Sequence, residues 1–192
     1  MRIYVGIPYG LPPSVDYGKA CREFVECVPD DAWVCIMDHD AMHTTPDWYQ
    51  LMVAVTDNAD GYSLLAPVVN GSPCDPQKAG PEGHSIDEHM HYGSDRMRQY
   101  GAVIRQAPDS SIPGTMFLFR KADWVRAGLA ADDDVPRWYG YDTVMAGRLS
   151  SIGMCGFMDG LYLYHAYNAT ALRGGRDYQA YYEHMNSRGK AW

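Results

Sequence analysis

The chain has 192 residues, 46% hydrophobic, 12% aromatic and 21% charged, enough to bury a core without staples. Its 16 Lys and Arg face 24 Asp and Glu, a formal charge of −8, which argues against a nucleic-acid backbone as the principal partner. Apolar runs such as residues 33–37 and 116–119 are far shorter than the roughly 20 residues of a membrane-spanning helix. The N-terminal run reads as a strand, with no export signal behind it. Five cysteines, an odd number with no C-x-x-C spacing, predict reduced thiols in a cytoplasm.

Residues 3–7 read as a buried first strand, closed by the Pro-rich loop 8–13. Ala20, Phe24, Val25 and Val28 recur at helical spacing, and Pro29-Asp30-Asp31 stops that helix before a second strand at 33–37. A connection of this length predicts parallel pairing of the two strands. Thr45-Pro46-Asp47 supplies an N-cap, a proline and a first-turn acid for a helix over 46–56. A further strand is predicted at 63–67. Residues 69–95, rich in Gly, Pro, His and acids with little periodicity, predict a long surface loop. Strands at 102–105, 115–120 and 155–165 and helices at 121–128, 141–151 and 177–187 complete the reading. The alternation predicts one α/β domain, a three-layer α/β/α sandwich around a mostly parallel sheet.

Asp38-His39-Asp40 follows directly on the strand at 33–37. Side chains two apart on a strand share a face, so the two carboxylates converge while His39 points away. At the carboxyl end of a buried parallel strand they make a site for a hard divalent cation. The plain alternative is a pair of solvated loop acids.

Several segments, in order, carry a resemblance. Residues 16–20, then 31–40 with its D-x-D, then Pro46-Asp47-Trp48, resemble the helix, metal-binding strand and "PDW" helix of family-two-like glycosyltransferases of the GT-A fold. Gly114 to Arg120 is similar to that family's "G-x-x-x-x-F-R" strand, Trp138-Tyr139-Gly140-Tyr141-Asp142 to the segment bearing its catalytic base, and residues 160–165 to the late strand ending in a histidine. The matches span most of the chain. The nucleotide-binding half is abridged, since only about thirty residues separate the first strand from the D-x-D, and the family's usual "E-D" pair is Tyr141-Asp142 here.

The resemblance implies a small GT-A variant, with a donor and metal half (1–67), a flexible loop (68–95) and an acceptor half with a C-terminal helix (96–192). It implies transfer of a sugar from a nucleoside diphosphate sugar to a saccharide or other hydroxyl acceptor, assisted by Mn²⁺ or Mg²⁺. Asp40 is then a direct metal ligand, Asp38 a nucleotide or second metal contact, and His165 a nitrogen ligand, a mixed set that tilts the choice toward Mn²⁺. Asp142 is the implied general base of an inverting reaction. Trp138, Tyr139 and Tyr141 offer flat faces to the acceptor, and Pro8, Tyr9, Lys19, Arg173 and Arg176 fall where the donor is approached. Each has an ordinary counterpart: a hydrogen-bonded core histidine, an acid at a helix start, packed aromatics, an exposed lysine, a Gly-rich linker. His84, His89 and His91 form a second cluster, whose H-x-H spacing suits two ligands on one strand face but lacks the partners of a zinc site. A binding module that has lost turnover, and more distantly a phosphoryl or nucleotidyl transferase, are the competing classes.

Overall fold

The computed structural model describes residues 2–8, 16–72, 74–83, 85–108, 112–130 and 141–166. Among these, seven strands and five helices follow the order β1 (Ile3–Gly6), α1 (Tyr17–Cys27), β2 (Trp33–Met37), β3 (Ala41–His43), α2 (Trp48–Thr56), β4 (Tyr62–Val69), α3 (Ile86–Tyr100), β5 (Ile104–Gln106), β6 (Met116–Arg120), α4 (Lys121–Arg126), α5 (Tyr141–Ser150) and β7 (Met154–His165). The helix expected at 177–187 lies outside the described residues. The local chemistry is ordinary for α1, where the Asp16 carboxylate accepts the Lys19 amide at 2.9 Å.

The strands form one mixed sheet in the order β1-β2-β6-β4-β7-β3, with β5 also on β7. β1 and β2 are parallel, as the α1 crossover requires, and so are β4 and β7. The other four pairings are antiparallel, so the sheet is mixed where the sequence predicted a mostly parallel one. Residues 38–40 link β2 to β3, yet those strands stand four places apart in the sheet. A flat sheet would separate them by about 19 Å, whereas four Cα steps from Met37 to Ala41 reach about 15 Å at full extension. The sheet must therefore curl.

The bend lies in β7. Its first half pairs with β5 and its last three residues with β3. On the β4 side the register jumps from Pro67↔Met158 to Val68↔Tyr162, so residues 159–161 bulge out of the ladder. Buried Asp159 anchors the bulge, accepting from Arg105 Nε at 3.1 Å and Nη2 at 3.0 Å, with Arg96 Nη2 at 3.5 Å. Gly160 passes against the Gly101 carbonyl so closely that a Cβ would sit 2.1 Å from it.

Strand alternation splits the core in two. Val34 and Ile36 join Leu64, Ala66, Phe117 and Phe119 beneath α1, α4 and α5. Trp33, Cys35 and Met37 join Leu65, Leu118 and Leu163 beneath α2. All five cysteines are free thiols, with Cys21, Cys35 and Cys155 buried. No helix among the described residues is long and apolar enough to cross a membrane.

Three local expectations change. α2 begins at Trp48, after Asp47 in a left-handed conformation (φ 48°) and without a side-chain cap. Thr45 is occupied elsewhere: its buried hydroxyl donates to the Tyr162 carbonyl at 3.1 Å and accepts the Tyr162 amide at 2.9 Å. The stretch read as a loop over 69–95 contains α3, capped by Ser85, which accepts the Glu88 amide, and started by Asp87 and Glu88. Its buried positions are His89 and Gly93, so no apolar stripe marks it. β3 was not expected at all; its three residues carry no period of their own.

The glycines give a paired test. Gly160→Ala meets backbone and should cost about 1–3 kcal/mol, whereas Gly147→Ala, with open space at the added methyl within α5, should gain about 0.5–1 kcal/mol. Urea unfolding of the two variants checks both signs.

Candidate metal centre

The D-x-D acids converge, but through a turn and not through strand alternation. The Asp38 amide donates to the Thr115 carbonyl at 2.9 Å, adding one rung to the β2–β6 ladder, and the Ala41 amide closes back on the Asp38 carbonyl at 3.2 Å. His39 and Asp40 thus occupy the central positions of a β-turn, with His39 exposed. From Ala41 the chain runs antiparallel to β7 with Ala41 opposite His165, and the Ala166 amide donates to the Asp40 carbonyl at 2.9 Å. That register brings Asp40 against a histidine 125 residues away in sequence.

His165 Nε2 lies 3.1 Å from Asp40 Oδ1 and 3.9 Å from Asp38 Oδ2. One ligand atom from each of Asp38, Asp40 and His165 falls within 4.8 Å of the others. The site is recessed, with the side chains 32%, 16% and 10% exposed in that order. Nδ1 of the ring stands 3.4 Å from the Thr115 hydroxyl, which can donate to it while Nε2–H donates to Asp40; the other tautomer, with Nδ1–H on Thr115, frees the Nε2 lone pair for a cation. Two carboxylates and one imidazole are a donor set that could hold a divalent cation.

Asp142 stands in the first turn of α5 and belongs to the same neighbourhood. Its Oδ2 accepts the Gly114 amide at 3.2 Å, one residue before Thr115. A Cβ at Gly114 would lie 2.3 Å from that of Asp142, so only glycine lets α5 come this near. Tyr17, at the start of α1, donates its hydroxyl to Asp38 Oδ1 at 3.5 Å.

Three acids and little compensating charge perturb the site. Burial pushes the Asp38 carboxyl up to about 7; the charges of Asp40 and Asp142 add to the rise, while His165 and the Tyr17 hydroxyl oppose it. Burial acts on Asp40 in the same direction, but the hydrogen bond and charge of His165, with the charge of His39, outweigh it and hold that carboxyl below its usual value. The Tyr17 hydroxyl is raised by burial and then by Asp38.

Other expected site residues fall as follows. Pro8 leaves the sheet two residues past the Gly6↔Ile36 pair, at the same end as Asp38. Lys19 is exposed and pairs with Glu23 at 3.6 Å on the outer face of α1. Tyr141 is 1% exposed and packs edge-on to Tyr17 at 5.5 Å, as a core residue supporting the site from beneath. Tyr9, Trp138, Tyr139, Arg173, Arg176 and His84 lie outside the described residues. His89 and His91 are on a helix, where residues two apart face different ways. His89 is fully buried between the Tyr162 hydroxyl (2.6 Å) and the Gly83 carbonyl (2.9 Å), and His91 is bonded to the Asp87 carbonyl. Gly114, Thr115 and Tyr17 stood inside the matched segments without a role, and geometry alone supplies one.

No protein-family model matches the chain, and no curated protein matches it.

Asp38 gives a pH test. A carboxyl that holds its proton more tightly in the fold favours folding at low pH, and that contribution is lost as pH rises from about 4 through about 7. Asp38→Asn should therefore stabilise the metal-free chain at pH 8 by about 1–2 kcal/mol, after discounting for the exposed part of the side chain. It should do little at pH 4. Urea titrations across that range check the sign.

Proposed function

We propose that the chain is a metal-dependent, inverting glycosyltransferase built as a single GT-A-like three-layer α/β/α domain. The observation that carries the reading is the convergence of Asp38, Asp40 and His165 to within 4.8 Å, with Asp142 bonded one residue from Thr115, the residue that meets both His165 and Asp38. These groups come from four segments, and the resemblance assigns each the role its position fits.

Asp38, Asp40 and His165 Nε2 would hold the cation, Mn²⁺ in preference to Mg²⁺ because of the nitrogen donor. When bound, the cation supplies positive charge against the departing nucleoside diphosphate. Asp142, whose Oδ2 accepts the Gly114 amide, would offer its other carboxylate oxygen to the acceptor hydroxyl. The hydroxyl oxygen attacks the anomeric carbon as its proton passes to Asp142, the bond to the diphosphate breaks on the opposite face, and configuration inverts. The free thiols suit a reducing, cytoplasmic setting.

A second reading has an observation of its own. β1 and β2 are adjacent, and α1 is the one element between them among the described residues, where the resembled family inserts a further strand–helix–strand that meets the nucleotide base. A nucleotide- or sugar-binding protein without turnover is the reading this favours.

Incubation with a panel of nucleoside diphosphate sugars and Mn²⁺ separates the two. Release of nucleoside diphosphate that stops on chelation and in Asp40→Ala supports the transferase. Asp142→Asn should lower turnover about 100-fold or more while Mn²⁺ binding is retained. Metal-dependent nucleotide binding without cleavage of any donor selects the binding protein, and activity indifferent to chelator and to Asp40→Ala refutes both.

A further inference from the structure

Asn70 is the first residue past β4, where the chain turns away from β7. The last backbone pair of those strands is Val69↔Leu163, two residues short of His165. The Asn70 side chain continues the ladder. Its Oδ1 accepts the His165 amide at 2.7 Å, and its Nδ2 donates to the His165 carbonyl at 3.1 Å. A carboxamide carries the same donor and acceptor as a peptide group, so it stands in for one more strand residue. On the opposite edge of β7, Ala41 pairs with His165. The metal-side histidine is thus gripped along its backbone from both sides.

Asn70 is itself well fixed. The Val69 amide donates to the Gln77 carbonyl at 3.1 Å, and the Ala79 amide returns to the Val69 carbonyl at 2.9 Å. Fully buried Gln77 donates to the Pro67 carbonyl at 3.1 Å and accepts from the Ser72 hydroxyl at 2.8 Å. A turn built this way holds a side chain to one place, which a ligand-orienting group needs.

We propose that Asn70 is a positioning residue for the metal centre, fixing the backbone from which the His165 imidazole meets Asp40 and Asp38. The assignment rests on the metal-centre reading above. Among the described residues the Asn70 side chain bonds to the backbone of His165 and to neither acid, so it acts on the centre through His165.

A double-mutant cycle tests it, with Mn²⁺ affinity read from the resonance of the free ion and folding read by thermal unfolding without metal. In the otherwise unaltered full chain, Asn70→Ala should weaken Mn²⁺ binding about ten-fold. In a His165→Ala background the same substitution should leave the residual affinity unchanged, because the ligand it positions is gone. Spin-echo spectra of bound Mn²⁺ should lose imidazole nitrogen coupling in Asn70→Ala. Should that variant not fold, Asn70→Ser, which keeps an oxygen beside the His165 backbone, is read in the same cycle. Equal affinity with and without the Asn70 amide overturns the assignment, as does an equal loss in both backgrounds, the mark of a merely structural role. Absence of Mn²⁺ binding by the unaltered chain overturns the metal-centre reading itself, and the assignment with it.

Discussion

The three-residue connection from β2 to β3 is the constraint on which the rest of the molecule depends. It joins strands four places apart in one sheet, a gap that so short a link closes only if the sheet rolls up. The rolling is done by β7, which spends residues 159–161 outside its ladder with β4 and then continues on a new line beside β3. Asp38-His39-Asp40 is that connection. The same turn that obliges the sheet to curl presents both acids to the strand that curls over them, so architecture and site are one requirement.

Bringing three carboxylates together works against folding, and the structure shows what offsets it. Asp142 has the Gly114 amide, Asp40 has the His165 ring at 3.1 Å, and Asp38 has longer contacts, from the Tyr17 hydroxyl at 3.5 Å and the His165 ring at 3.9 Å. The Asp38 carboxyl is accordingly pushed toward its neutral form, chiefly by burial. The deficit is concentrated on one oxygen pair beside an imidazole nitrogen. A dication at that point would reverse the sign of each carboxylate interaction at once. The Asp159 bulge makes the contrast: a more deeply buried acid, but with two guanidinium groups around it.

Much of this was legible in the sequence because it rests on local pattern. β1, α1 and β2 follow from apolar spacing and the Pro29 stop, and their parallel pairing follows from the length of the crossover. The D-x-D acids and the distant His165 were nameable from residue type and order. What the sequence hid was what tertiary contacts decide. Thr45 looks like a helix cap until its hydroxyl is claimed by both backbone groups of Tyr162. α3 looks like a loop because its buried face is a histidine and a glycine, each serving a specific partner: His89 for Tyr162, and Gly93 for the Thr44 carbonyl, which a Cβ would approach to 2.9 Å. The mixed sheet was hidden for the same reason, since the antiparallel placing of β6 between β2 and β4, and of the three-residue strands β3 and β5 on β7, is set by tertiary pairing and not by local pattern.

Thr45 and Asn70 expose a common device. Each sits where the strand beside β7 has run out, and each supplies with one side chain the donor and acceptor that a strand neighbour would have given, Thr45 to Tyr162 and Asn70 to His165. Strand ends are where ligands are met, because there the backbone stops pairing and side chains are free to converge. They are also where a backbone is least constrained. A site placed at the end of a long bent strand therefore needs its last residues held by something other than the ladder, and short polar side chains on neighbouring turns are the groups with the right reach. No spacing rule marks such residues in a sequence, because the partner of each is fixed by where two distant strands happen to end.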